Sequence, residues 1–285
     1  LQNLNALDAS KIEETGAHRF IGFGSTFFGA GLINGFTLMV IVVLIKRKRL
    51  TRIKIFTYAL VFFIILLLGV MMARTTLIGL TLALLYLFLP SFHINKNALR
   101  NKWMFLVNLL IIPVVAITLL FTFSPKLVAQ LKDVVNFSFE LFINYSQTGK
   151  FSTASTSVLE SMYVFPKTLK TYIIGDGQYY INPGDRSSAY YMHTDVGYLR
   201  LLYYFGLTGM AFYFLLQYFV IRNAILRNAG NKDLKRFFLF CLLFCLILNS
   251  KAFADLFFLI VLFCYPYPKK EIEVHKTTVY TLAAV

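Results

Sequence analysis

Charged residues are scarce in this 285-residue chain, and acidic residues are the scarcer kind. Only 14% of the residues are charged, with 13 Asp and Glu against 28 Lys and Arg. A soluble domain needs more polar side chains to cover its surface, so this composition excludes an ordinary soluble protein. The acids do not cluster, which gives no support to a divalent metal site.

Cysteine and the common catalytic motifs are also scarce. The three cysteines, Cys241, Cys245 and Cys264, lie in apolar runs without CxxC or Cys/His spacing, so we expect neither a disulfide nor a zinc site. Walker, HExxH and GxSxG motifs are missing, and we expect no cofactor. The stretch "GDGQYY" does not open a βαβ unit, and it predicts a tight turn rather than a dinucleotide site.

Long apolar runs are what the chain has in abundance. Hydrophobic residues make up 58% of it, and its mean hydropathy is +0.67. The runs are about 20 residues long, the length that crosses a hydrocarbon core of roughly 30 Å. The sequence therefore predicts an all-α, polytopic membrane protein with about six to seven transmembrane helices and a large periplasmic loop that carries amphipathic helices.

The apolar runs also predict the organisation of the chain. Spans are expected over about 23–45, 55–72, 75–92, 103–123 and 197–221, and in the apolar region 237–265. The last region carries polar residues at its middle, so we favour a hairpin of two short spans there. Residue 1 is Leu and the first 20 residues are mixed, which suggests a piece of a longer protein. The resulting divisions are an outer N-terminal segment (1–22), helices (23–123), a periplasmic loop (124–197), C-terminal helices (198–267) and a polar tail (268–285).

Basic residues set the expected orientation. Six of them lie between Lys46 and Lys54 with no acid among them, and the loops near 93–102 and 222–236 are also basic. The positive-inside rule places these loops on the cytoplasmic side, so the net charge of +15 requires no nucleic-acid partner. Segment 124–197 then lies outside. Within it, "LKDVVNFSFELFINYS" and "STSVLESMYVFPKTLKTYI" have apolar residues at helical spacing, which predicts amphipathic helices over the bundle mouth.

With this topology, a set of polar groups gathers at the outer face. Its members are Arg19, Arg74, His193, Asp195, Arg200 and Lys251. The Arg74 guanidinium has the planar fork of donors that fits phosphate oxygens, and the alternative is an arginine that reaches the surface from a tight turn. Arg200 either anchors its helix to lipid headgroups or joins a diphosphate-binding patch.

The other members have open alternatives too. His193 can accept a proton near neutral pH, or it is a loop histidine bonded to the backbone. Asp195 can assist His193 and can cap the fifth helix, and the two roles are compatible. Lys251 either adds to the diphosphate-binding patch or pairs with Asp255, four residues further along one helix. The tyrosines around the His/Asp pair, Tyr190, Tyr191 and Tyr198, are candidates for stacking on sugar rings.

Several stretches resemble bacterial O-antigen polymerases and ligases. "ARTTLIGLTLALLYLFL" is similar to the start of one of their spans, and "IIGDGQYY" with "HTDVGYLRLLYYFGLTGMAFY" resembles the end of their large periplasmic loop and the next span. "HRFIGFGSTFFGAGLINGF" and "LNSKAFADLFFLIVLF" also look like polysaccharide polymerase segments. The resemblance covers nearly all of this chain, but only about the C-terminal two thirds of such a protein.

The resemblance implies a multi-pass protein of the bacterial inner membrane with a periplasmic active site. Such a polymerase moves a growing glycan from undecaprenyl diphosphate to a sugar hydroxyl of another lipid-linked repeat unit. Its partners would be undecaprenyl-diphosphate-linked glycans, membrane lipids and a chain-length regulator protein. Ligases pass the glycan to lipid A core and commonly have a His-Asn pair where this chain has His193-Thr194-Asp195, which favours the polymerase here.

The residues fit this chemistry in defined roles. Arg74, with Lys251, Arg200 and Arg19 as helpers, would stabilise the charge that develops on the departing diphosphate. His193 or Asp195 would be the base that deprotonates the acceptor hydroxyl. The alternatives are the ligase and a transporter or flippase of lipid-linked oligosaccharide.

Overall fold

The fold is seen in a computed structural model of the chain. It describes residues 27–47, 50–90, 96–123, 136, 139–140, 142–150, 153–182, 189–228, 232–255, 260–261 and 264. Arg19 and the tail 268–285 lie outside these residues, so the expectations for them are neither supported nor opposed.

The regular secondary structure of the described residues is helical, as the sequence predicts. The helices are α1 (Phe27–Arg47), α2 (Arg52–Met72), α3 (Thr75–Phe88), α4 (Lys96–Phe123), α5 (Ala154–Ser161), α6 (Leu169–Ile173), α7 (Gly197–Arg227) and α8 (Lys232–Asn249). Residues 142–148 are also helical, and no β-strand occurs in the described ranges. The β-bridge between Tyr180 and Tyr190 is an isolated pair.

Four helices are long and apolar enough to cross a membrane. They contain Phe28–Lys46, Arg52–Met72, Leu99–Leu119 and Gly197–Arg227. The sequence predicts six to seven spans, and two of the further ones correspond to shorter or more polar helices. Helix α3 has 14 residues, about 21 Å at 1.5 Å per residue, which is shorter than a hydrocarbon core of roughly 30 Å. Helix α8 has 18 residues and opens with charged side chains.

Small residues let α1 and α3 pack almost backbone to backbone. A Cβ placed on Gly79 would lie 2.2 Å from the Cα of Gly35, and one on Gly31 would lie 2.1 Å from the Thr75 hydroxyl. In α1 the two glycines are four residues apart, and in α3 Thr75, Gly79 and Ala83 repeat the same spacing. Such small-xxx-small patterns are typical of close helix contacts in membranes. Phe244 lies against Gly35 at this contact, and it belongs to the main core together with large side chains such as Phe62 and Phe105.

Residues of the loops that the sequence predicts to be cytoplasmic lie together at one end of the bundle, called here the basic end. The Lys46 ammonium donates to the carbonyls of Tyr86 and Leu89, each at 2.9 Å, and so satisfies the C-terminal carbonyls of α3. The Tyr86 hydroxyl donates to the Asp233 carbonyl at 2.9 Å. Lys102 lies over the Phe88 ring, 4.7 Å from its centroid. The three predicted basic loops thus meet at the same end.

One expectation for the helices is wrong in detail. The predicted amphipathic helix 155–173 is two helices, and the segment between them contains Pro166, which lacks an N–H and disfavours helical backbone at the residue before it; α6 then begins after the cap Thr168. Within the apolar region 237–265, α8 ends at Asn249. The Asn249 side chain binds the Cys245 and Ala254 carbonyls at 2.8 and 3.2 Å and accepts the Ala254 N–H.

The favoured hairpin after α8 stays a prediction, because most of the returning half lies outside the described residues. Two described residues agree with it. Ile260 is buried in the main core, and the Cys264 thiol lies 3.6 Å from the Val220 carbonyl, far along α7 from its start at Gly197.

Candidate functional site

The predicted site residues that the structure describes lie at the end of the bundle opposite Lys46, called here the loop end. A Cβ on Gly31 would meet Ala73, so the turn that carries Arg74 lies over the first turns of α1. The start of α7 packs against the end of α8, since a Cβ on Gly197 would lie 2.7 Å from the Asn249 side chain. Phe244, about one turn before Asn249, contacts Gly35 of α1. Arg74, Lys251 and the segment 190–200 therefore share one end of the bundle.

Arg74 is held by a carboxylate. It lies in the tight turn between α2 and α3, and its guanidinium forms a hydrogen-bonded ion pair with Glu140. The Arg74 side chain is 16% exposed and the Glu140 side chain 26% exposed, so the pair is mostly shielded from solvent. The Arg74 guanidinium thus binds an anionic group, and in this structure that group is the Glu140 carboxylate of the protein itself.

Helix α7 is broken at Gly206, where φ is +66° and ψ is −176°. A break in a helix removes the usual acceptor–donor pairs around it, so nearby carbonyls need other donors. The turn Gly175–Gly177, called here the GDG turn, supplies two of them. The Asp176 N–H donates to the Tyr203 carbonyl at 2.6 Å, and the Gly177 N–H donates to the Tyr204 carbonyl at 3.2 Å.

Glycine is required where the GDG turn meets this break. Gly175 has φ +80°, and a Cβ on it would lie 2.6 Å from the Gly206 nitrogen. A Cβ on Gly206 would lie 2.3 Å from the Ile173 carbonyl oxygen, the same oxygen that accepts the Thr208 hydroxyl at 2.6 Å. The tight turn predicted from "GDGQYY" is confirmed, and its backbone N–H groups serve the broken helix.

His193 lies in a strained turn. Tyr191–His193 form a single 3-10 turn, called here the His193 turn, in which Met192 and His193 have φ of +55° and +52°. Left-handed backbone costs roughly 1–2 kcal/mol for each residue that carries a Cβ, and it is most frequent where function requires it. The His193 N–H donates to the Tyr190 carbonyl at 2.9 Å, and the side chain is exposed. The imidazole is therefore presented to solvent by a fixed backbone.

Asp195 is half-buried beside this turn, but it does not cap α7. The N-cap is Val196, whose N–H is bound by the Thr194 hydroxyl at 3.3 Å. Val196 is fully buried with Leu199, Leu202 and Tyr203, and this apolar contact fixes where the helix starts. The expected N-cap role of Asp195 is therefore wrong, because burial of the next residue outweighs the cap preference.

Arg200 is enclosed by aromatic rings. Its guanidinium carbon lies 3.7 Å from the centroid of Tyr190 and 4.5 Å from that of Tyr179, and it donates a hydrogen bond to the Tyr179 hydroxyl. Tyr180 stacks on Tyr190 with centroids 5.6 Å apart. Cation–π contacts of this kind strengthen when they are shielded from water. Arg200 thus joins Tyr179 and Tyr190 to the first turn of α7.

The remaining predicted residues have structural contacts of their own. The Tyr198 hydroxyl donates to the Leu246 carbonyl at 2.7 Å, which fastens α7 to α8, and the side chain is half-buried. Lys251 and Asp255 lie beyond the last helical residue of α8, so the expectation that they share one helix is wrong. Lys251 is half-buried in the turn that follows.

Sequence reasoning misses two residues that organise this end. Asp176 accepts the Thr171 hydroxyl at 2.8 Å and the Tyr191 hydroxyl at 3.3 Å. Partial burial and then the nearby Asp176 carboxylate raise the pKa of Tyr191 above its usual value, so this hydroxyl keeps its proton as a donor. Glu140 is the other missed residue. An acid between two glycines is a readable signal for Asp176, whereas Glu140 carries none.

Neither metal ligands nor relatives add to this picture. In the part of the chain that the structure describes, no three His, Cys, Asp or Glu side chains are grouped as a metal site. No protein-family model matches the chain, and no curated protein or solved structure matches it either.

Proposed function

We propose that the chain is a membrane glycosyltransferase of the polysaccharide polymerase kind. It would transfer a glycan from a polyprenyl diphosphate to a sugar hydroxyl of a second lipid-linked unit, at the outer face of the bacterial inner membrane. The observation that carries the proposal is the common location of Arg74, His193 and Lys251 at the loop end, away from the basic end marked by Lys46. The resemblance of the segments around Arg74 and His193 to such polymerases agrees with it.

The reaction needs an anion site and a base. The acceptor oxygen bonds to the anomeric carbon, the bond from that carbon to the diphosphate oxygen breaks, and the bonding electrons leave with the diphosphate. Cations preset at that oxygen lower the barrier because they need no reorganisation when the charge appears. Arg74 is shaped for this role, since it already binds a carboxylate in a partly shielded turn.

The proton of the acceptor hydroxyl goes to the base. His193 is the first choice, because the strained turn presents its imidazole to solvent. Asp195 is the second choice, since it lies half-buried two residues further on. A well-placed base typically contributes 10²–10⁴-fold, so the two residues can be separated by mutation.

A transporter of lipid-linked oligosaccharide is favoured by one observation, the break in α7, since broken helices are common in transporters. In transporters the unwound backbone lines the substrate site. Here the carbonyls of Tyr203 and Tyr204 at the break are occupied by N–H groups of the GDG turn. The break therefore fits a docking point for the loop better than a transport site.

A gel of surface polysaccharide from cells that lack this protein tests the proposal. A polymerase is expected to leave single repeat units attached to lipid A core. A ligase would leave bare core with free lipid-linked polymer, and a transporter would leave unextended units on the cytoplasmic side. Normal long-chain glycan in the knockout would overturn the proposal.

A further inference from the structure

Asp176 connects three elements of the loop end. Its two carboxylate oxygens accept the Thr171 hydroxyl of α6 at 2.8 Å and the Tyr191 hydroxyl of the His193 turn at 3.3 Å. Its backbone N–H donates to the Tyr203 carbonyl of α7 at 2.6 Å. One residue thus ties the His193 turn to a short helix and to the first part of a long helix.

The His193 turn needs such support. Two consecutive non-glycine residues with φ above +50° persist only where surrounding contacts hold them. On one side, Thr194 is buried and its hydroxyl binds the Val196 N–H. On the other side, the Tyr191 N–H donates to the Tyr179 carbonyl at 3.1 Å, and the Tyr191 ring packs edge-on against Tyr203.

On the Tyr191 side of the turn, Asp176 acts through its hydrogen bond with the Tyr191 hydroxyl. The contact with the Tyr203 ring orients the plane of the Tyr191 ring, and the hydrogen bond to the Asp176 carboxylate fixes the position of the Tyr191 hydroxyl. Asp176 is itself anchored to α7 through its N–H, which holds its carboxylate in place. A shift of this carboxylate would move the Tyr191 side chain and, through it, the backbone of the next two residues. His193 is the second of them.

We infer that Asp176 is a positioning residue: through Tyr191 it holds the His193 turn in its left-handed conformation and so sets where the imidazole meets the acceptor hydroxyl. The role of the imidazole rests on the proposed function, whereas the link from Asp176 to the turn rests on the contacts alone. Asp176 takes no proton in the reaction. The hydroxyl proton goes to His193, and the carboxylate stays an acceptor of two hydrogen bonds.

The link can be measured without any activity. Amide hydrogen exchange of the full chain in nanodiscs, followed by mass spectrometry, reports the peptide that contains Tyr191 and His193. Asp176→Ala and Tyr191→Phe should each speed exchange there by roughly three- to tenfold, as the loss of the Tyr191–Asp176 hydrogen bond predicts. The double variant should be no faster than the faster single variant, because both changes remove the same bond.

Two further variants separate positioning from general damage. Asp176→Asn replaces the carboxylate with an amide of the same size, which keeps an acceptor oxygen and adds an N–H donor. This variant should therefore retain most of the protection from exchange. Glu160→Gln removes an exposed carboxylate from α5 in the same segment and should leave exchange at the His193 turn unchanged. Unchanged exchange in Asp176→Ala, or independent and multiplying effects of Asp176→Ala and Tyr191→Phe, would overturn the inference.

The kinetic arm uses purified protein and a lipid-linked repeat unit. Asp176→Ala should lower kcat by up to about 10²-fold with little change in KM, since misplacing a reacting group by about 1 Å has that effect. Asp176→Asn should restore most of the rate. A rise of KM by a similar factor in Asp176→Ala, with kcat unchanged, would contradict a positioning role. A wild-type chain that extends no glycan would overturn the proposed function, and the exchange arm would still decide the link between Asp176 and the His193 turn.

Discussion

Arg74 and Glu140 are 66 residues apart in sequence, and they form an ion pair that joins the turn between α2 and α3 to the segment before helix 142–148. The pair has two consequences that point in different directions. It holds the Glu140 segment against the turn between α2 and α3, and it occupies part of the guanidinium that the proposed reaction needs for its diphosphate. A diphosphate that binds Arg74 would compete with the Glu140 carboxylate for the guanidinium N–H groups.

Variants of the pair distinguish these two consequences. Arg74→Ala should abolish long glycan chains and leave single repeat units on lipid A core, because the departing diphosphate loses its cation. Glu140→Gln should keep long chains, since it removes the competing carboxylate and retains the cation. Gel analysis of surface polysaccharide measures both.

Arg100→Ala is the matched control, since Arg100 is exposed near the start of α4, toward the basic end. Equal loss of long chains in Arg74→Ala and Glu140→Gln would mean that Arg74 acts only as the structural partner of Glu140.

The base is assigned by comparing His193→Ala with Asp195→Asn. Removal of the base should lower the rate of glycan extension by about 10²–10⁴-fold, while removal of the other residue should have a smaller effect. The measurement is the rate of chain extension with purified protein and a lipid-linked repeat unit. A variant of either residue that still makes a full ladder of products excludes that residue as the base.

The break in α7 predicts a specific sensitivity at Gly206. Gly206→Ala should lower the thermal midpoint of the detergent-solubilised protein, because a Cβ there combines a left-handed φ with a contact 2.3 Å from the Ile173 carbonyl oxygen. Gly177→Ala is the control. Its φ is +69° with nothing within 4 Å of the added Cβ, so it should cost only the backbone strain of roughly 1–2 kcal/mol. If the two variants have equal midpoints, the GDG turn is not docked at the break.

The location of the loop end is tested by cysteine labelling in whole cells. His193→Cys and Thr148→Cys are at exposed positions of the loop segment, and Lys232→Cys is at an exposed position at the start of α8. A membrane-impermeant maleimide should label the first two in intact cells and the third only after lysis. Labelling of position 232 alone in intact cells would reverse the orientation and exclude an outer active site.

The helices could be predicted from sequence because their signal is local. Apolar runs of membrane length give the positions of α1, α2 and α4, and Gly31, Gly35 and Gly79 carry a readable small-residue spacing that marks the α1–α3 contact. The site could be predicted only as far as which end its residues share. That much follows from alternation of the spans and the basic loops.

The contacts within the site depend on residues far apart in the chain, and no local pattern reports them. Glycine at 206 looks like an ordinary helix residue until the Ile173 carbonyl is seen against it. Burial of Val196 moves the start of α7 past Asp195, and a preference for Asp at caps cannot reveal this. The pairing of Arg74 with Glu140 is likewise decided by how the loop folds back onto the bundle.

The break at Gly206 also divides α7 by length. The 31-residue helix would reach about 46 Å if it were continuous, well beyond the thickness of the lipid interior, whereas residues 207–227 alone cover about 31 Å, close to that thickness. The first nine residues of α7 would then lie outside the lipid interior, packed against α5 and α6. The aromatic contacts of Arg200 would lie at the level of the lipid headgroups.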